Sequence, residues 1–203
     1  MREQTVGDWL EALASSAPAP GGGAAAALLV ATAAALVEMV TNLTIGKPRY
    51  ADSEPLMIEV RDRATRIRAA ALRTAADDET AFDAVAAAYR IPRDDPTRSD
   101  VIQSATADAA RPPLRTAQLA AEVIALADSI RDGSNINVRS DVGVAASAAR
   151  AALDSAVINV EVNVAALHDR ELAASLRAEL APNVAAADIA AATIARVRTD
   201  VAR

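Results

Sequence analysis

The chain of 203 residues has no cysteine, one histidine and one lysine. With one tryptophan, one phenylalanine and two tyrosines, its aromatic content is only 2%. Without cysteine there are no disulfides, no thiolate nucleophile and no zinc site of the cysteine type. His168 has no second histidine or cysteine to join it. That argues against a metal centre and for a histidine at the surface or at a helix C-terminus. Strand signals are also scarce, since β-branched runs bounded by turn residues are nearly absent. Positive charge is in deficit: 21 lysines and arginines face 27 acids, giving a net charge of −6 and a sequence pI near 4.9. This balance argues against a nucleic-acid partner. The longest apolar run, residues 24–37, is too short and too rich in alanine to span a bilayer. The opening MREQTVGDWLEAL is charged and amphipathic rather than leader-like, so a soluble, cytoplasmic protein is expected.

What the chain does have is alanine, 54 residues of it within a hydrophobic content of 52%. Alanine has the highest helix propensity and loses no side-chain entropy, so the fold class expected is all-α. Trp9, Leu10 and Leu13 at helical spacing predict a first helix over 5–14, ended by SSAPAPGGG. A second runs from about Gly23 to Ile45, closed by Gly46 and Pro48. A third covers 54–89, with Asp52 or Ser53 able to cap it, and a fourth covers 97–131, interrupted near Pro112–Pro113. Ser140 is expected to cap a fifth helix ending near Leu167, and a last one spans about 170–200 with a kink at Pro182. The whole chain, 1–203, reads as one domain, an up-and-down bundle of long helices. The second and fifth helices are apolar nearly all round, which implies burial on every face and a homodimer formed through these alanine-rich helices.

In so uniform a chain the rare residues carry the information. Twenty of the 21 cations are arginine; the exception, Lys47 in TIGKPRY, suggests a need for a compact ammonium group, or else a solvated lysine after a helix end. Asparagine is grouped: Asn42 near Lys47, Asn135 and Asn137 in one loop, Asn159 and Asn163 at i,i+4 on one helix face. The ordinary reading of the last pair is a polar bridge between buried helices, and of the loop pair a turn beside Gly133. Ser140-Asp141 reads most simply as a cap and a first-turn acid.

Taken together, these segments resemble the formiminotetrahydrofolate cyclodeaminase and methenyltetrahydrofolate cyclohydrolase family. The residues that carry it are PGGGAAAALLVATAAALVEMVTNLTIGKPRY, DDETAFDAVAAAYRIPR, NINVRSDVGVAASAARAAL and NVEVNVAAL, in this order, across most of residues 5–170. The resemblance implies a helical, dimeric enzyme acting on the one-carbon unit between N5 and N10 of tetrahydrofolate. It implies no cofactor beyond that substrate and no metal. It points to Asp141, Lys47 and Tyr50 as catalytic, and to Gly21, Gly22, Gly23, Asp78, Asn137, Ser140, Asn159 and Asn163 as substrate-binding; Gly143 is also covered. Members commonly have serine after the three glycines, where this chain has Ala24. Larger members also carry a formiminotransferase domain that these 203 residues do not contain. Cyclodeamination is the first expectation, cyclohydrolysis the alternative, and a non-catalytic bundle that binds a folate-like ligand or a protein the rival.

Both reactions pass through a tetrahedral carbon between two nitrogens. Both gain from a carboxylate beside a cationic amidinium and from a group that moves a proton. At about 1.5 Å per residue, the second helix separates its glycines from Lys47 by roughly 35 Å. Lys47, Tyr50, Asn137, Ser140 and Asp141 therefore belong to one end of the bundle. The glycines, Asp78, Asn159 and Asn163 belong to the other. A two-fold dimer with antiparallel subunits can bring the two ends together in one folate cleft.

Overall fold

The structure, a computed structural model, describes residues 4–202. Among them there is no strand, and eight helices follow in order. They are α1 (Val6–Ala14), α2 (Gly22–Asn42), α3 (Glu54–Tyr89), α4 (Arg98–Ala109), α5 (Arg111–Ile130), α6 (Arg139–Ala165), α7 (Arg170–Val184) and α8 (Ala186–Val201). Helix α2 packs against α3, α5 and α6, while α6 packs against α2, α5, α7 and α8, in an up-and-down arrangement. The core holds mostly alanine and valine, with Met57, Leu119, Ile124 and Leu153 as its largest buried side chains. Small side chains let helices approach closely. At Gly143 an added Cβ would lie 3.0 Å from Val197 Cγ1, so α6 and α8 touch nearly backbone to side chain.

The sequence signals need correction at helix starts. Ser140 does not cap α6. A 3-10 turn, Ile136–Val138, feeds directly into that helix, and Arg139 N–H bonds the Ile136 carbonyl, so the ladder starts without a side-chain cap. The same device opens α3: Pro48–Ser53 is a 3-10 turn, and Ser53 holds the cap position without a side-chain bond. The stretch 97–131 is interrupted close to where expected, at Ala110 between α4 and α5, and Pro112 and Pro113 lie in the first turn of α5, where proline's missing N–H is no loss. Pro182 lies inside α7, and the helical path is interrupted three residues beyond it, at Ala185 alone, whose backbone stays helical (φ −61°, ψ −21°).

Within this single chain neither α2 nor α6 is buried on every face. In α2, Thr32, Ala35 and Met39 form an exposed stripe. In α6 the stripe is longer, running through Ser140, Val144, Ser147, Ala151, Ile158 and Val162. By length and hydropathy α2 matches a membrane span, but 56% of that window is buried against protein.

Candidate active site

The three glycines end in a contact that decides their meaning. Gly21 occupies the cap position of α2 in extended conformation and has no side chain to bond the free N–H groups of the first turn. Asp78, from α3, lies across that turn with its carboxylate facing the Ala24 N–H. Its carboxylate rests so closely on Gly23 that a Cβ there would overlap it. The anion held at the start of α2 is thus the protein's own. Gly22 meets only the Asn159 amide at ordinary contact distance, and nothing lies within 4 Å of a Cβ on Gly21. Substituting Gly23→Ala is therefore expected to push Asp78 aside and strand the Ala24 N–H. Thermal or urea unfolding should show a loss of about 1–3 kcal/mol, whereas Gly21→Ala should be nearly neutral for stability.

Around this contact is a pocket of about 170 Å³, lined by Gly21, Gly22, Gly23, Asp78, Asn159 and Asn163 together with Glu79, Phe82, Val85 and Val162. One half of the expected cluster is assembled here from α2, α3 and α6. Asn159 Nδ2 donates to the Ser155 carbonyl at 2.8 Å, and Asn163 Nδ2 to the carbonyls of Ala109 at 3.1 Å and Asn159 at 3.0 Å. Asn163 thus bridges to the α4–α5 junction, while the amide oxygens of both residues accept no bond among the described residues. The pocket lining holds two carboxylates and no cation. Burial pushes the Asp78 carboxyl above the ordinary range; the Ala24 N–H partly offsets this, and the Glu79 charge adds to the rise. Such a site attracts a cationic ligand and keeps a more basic carboxylate beside it.

Lys47, Tyr50, Asn137, Ser140 and Asp141 lie at the opposite end, beyond an α2 of 21 residues, or roughly 30 Å. Here the residues divide by role. Tyr50 Oη accepts the Ile136 N–H at 3.1 Å and reaches Asn135 Oδ1 at 3.5 Å. Asn135, only 4% exposed, bonds Thr44 Oγ1 and the Leu43 carbonyl through its N–H and its Nδ2, both at 3.0 Å, and accepts the Asn137 N–H. This clamp ties the end of α2 to the turn before α6. Asn137, Ser140 and Lys47 are exposed, and Asp141 is half-buried in the first turn of α6, where the helix dipole favours a carboxylate. Among the described residues neither Lys47 nor Asp141 is in an ion pair.

Two features were missed from sequence. Glu79, Phe82, Val85 and Val162 line the pocket. Phe82, the chain's only phenylalanine, is 47% exposed, and the rarity that singles out Lys47 singles it out too. The Ala24 side chain is fully buried with Trp9, Ala27 and Ala75, away from the pocket. Only its N–H takes part in the site. His168 is exposed beyond α6.

Fold and pocket together define a helical bundle with a small-molecule site suited to a cationic ligand. The model of the formiminotransferase-cyclodeaminase family matches residues 5–182, and the chain belongs to that family. The chain is 43% identical, over 181 residues and 87% of each sequence, to the methenyltetrahydrofolate cyclohydrolase of Methylorubrum extorquens. Its fold matches the crystal structure of formiminotetrahydrofolate cyclodeaminase from Thermotoga maritima with a TM-score of 0.91. That match is at 24% identity and covers 100% of this chain and 99% of the other. The chain is thus an enzyme of a folate one-carbon family.

Proposed function

We propose that this chain is a methenyltetrahydrofolate cyclohydrolase that adds water to the carbon bridging N5 and N10 and opens the ring to a formyl product. The observation that carries this is the 43% identity to a cyclohydrolase over most of both chains, which moves hydrolysis ahead of the cyclodeamination first expected. The pocket supports it chemically. The substrate carries an amidinium cation, the formyl product is neutral, and one proton is released. Two carboxylates in a partly dry pocket attract the cation and let the neutral product leave. Asp78, made more basic by burial, takes the proton of the attacking water. The open amide oxygens of Asn159 and Asn163 and the bare backbone of Gly21 and Gly22 position the ring.

At about 170 Å³ the pocket is smaller than the roughly 300–1,000 Å³ usual for a drug-sized ligand. A second copy supplies the rest in this reading. The exposed stripe on α6 begins at Ser140, beside Asp141, and ends at Val162, in the pocket lining. Antiparallel pairing along that stripe and its neighbour on α2 sets Asp141 and Lys47 of one copy against the glycine turn of the other. Light scattering should therefore report a dimer, and Val144→Asp with Ile158→Asp should give a monomer without activity.

Cyclodeamination is the second reading, favoured by the family model's description; a protonated formimino group is also an amidinium that this pocket suits. The test follows loss of near-ultraviolet absorbance of 5,10-methenyltetrahydrofolate against buffer, with 5-formiminotetrahydrofolate in a parallel assay. Accelerated loss of the first without ammonia release from the second supports the hydrolase. Ammonia release reverses the order, and neither activity favours a non-catalytic bundle.

A further inference from the structure

The helix faces that line the pocket lead on to a second cavity. The pocket's α3 wall continues from Asp78 through Phe82 and Val85 to Tyr89, at helical spacing on one face. Its α6 wall continues from Asn159 through Asn163 to Ala166. Helix α4 runs beneath, from Ser99, Ile102 and Gln103 at the far end to Ala109 at the near end. Phe82 and Tyr89 are two helical turns apart, roughly 10 Å. The far end opens into a cavity of about 360 Å³ whose charge is reversed, with Arg93 and Arg98 in its lining.

We propose that this cavity binds the glutamate carboxylates of the folate substrate. The inference rests on the folate reading above and extends it to the other end of the ligand. A folate joins a one-carbon centre to an anionic arm, and the near pocket's own lining, within one copy, holds no cation to receive that arm. The α2 N-terminus does not receive it either, because the Asp78 carboxylate already lies against Gly23 there. Tyr89 in the far cavity stands eleven residues from Asp78, roughly 16 Å along α3, a span that an extended p-aminobenzoylglutamyl arm and an arginine side chain close together. Arg98 is held in place: its Nε donates to the Ile91 carbonyl at 3.0 Å, its Nη2 reaches the Tyr89 carbonyl at 3.4 Å, and its guanidinium lies 5.8 Å from the Tyr89 ring centre. Asp95, the one carboxylate in the lining, is engaged by the Thr97 hydroxyl and N–H at 2.7 and 2.8 Å. Arg93 is exposed and bonds no partner among the described residues, so its guanidinium is available to a carboxylate.

The experiment compares kcat/KM for 5,10-methenyltetrahydrofolate with that for the pteroyl analogue, which has the same reacting carbon and no glutamate. The native enzyme should prefer the glutamyl compound, and Arg93→Ala should erase that preference by raising its KM about tenfold. Arg93→Lys should keep part of it, and Arg66→Ala, an equal loss of charge on α3, should keep all of it. Equal kcat/KM for both compounds in the native enzyme, or an equal fall for both in Arg93→Ala, overturns the tail site and leaves the function standing. No turnover of either compound by the native enzyme overturns the cyclohydrolase reading on which the tail site rests, and the tail site with it.

Discussion

Asp78→Asn should abolish most of the activity, by about 10²–10³ in kcat/KM, while leaving the bundle at least as stable as before. The two halves have one cause. Burial raises the folded-state pKa of Asp78 above its unfolded value. The stability that its protonated form contributes is fully present below the unfolded pKa and is lost as pH rises through the folded one. At neutral pH the ionised carboxylate is therefore a local cost, which a neutral amide avoids while still facing the Ala24 N–H. Asparagine cannot take a proton from water or balance a cation, so turnover is lost. The native rate should fall on the acid side at a pH above the ordinary carboxylate range, because Asp78 must be ionised to act. Thermal melts and a pH–rate profile test this together. Retained turnover in Asp78→Asn, or a melt several degrees lower, contradicts the assignment.

Asp141→Asn should lose turnover to a similar degree without unfolding, since the carboxylate is half-buried at the start of α6 and belongs to no ion pair among the described residues. Its distance from the pocket makes the more telling experiment a mixture. If each site takes Asp78 from one copy and Asp141 from the other, mixed dimers of the two inactive variants contain one intact site. Unfolding and refolding the variants together should then restore about a quarter of the native rate. Recovery of nothing means that Asp78 and Asp141 do not share a site across subunits. Full native activity in Asp141→Asn alone removes the residue from the chemistry.

The bundle was legible because alanine leaves little but helix and because Gly and Pro punctuate it at Gly21–Gly23, Gly46–Pro48 and Pro92–Pro96. Helix starts were less so. Where a 3-10 turn runs straight into a helix, as before Glu54 and Arg139, its carbonyls replace the side-chain cap that sequence patterns look for. The near pocket was half legible, since Asp78, Asn159 and Asn163 were named with the glycines. The meaning of the glycines was not. Asp78 meets a helix whose first turn lies more than 50 residues earlier, and no local pattern carries that contact. Asn135 and Asn137 look alike in sequence, yet one is a buried clamp and the other is exposed. The difference comes from Thr44, Leu43 and Tyr50, which only folding brings to that turn.

The central claim is that a folate one-carbon group binds at the turn where Asp78 meets the three glycines. It is tested most directly by a crystal structure with 5-formyltetrahydrofolate, which keeps the pterin and the arm but resists turnover. The account predicts the ring against Gly21–Gly23, between Asn159 and Asn163, with the substituted nitrogen facing Asp78. Ligand density elsewhere, with that pocket empty, would contradict it.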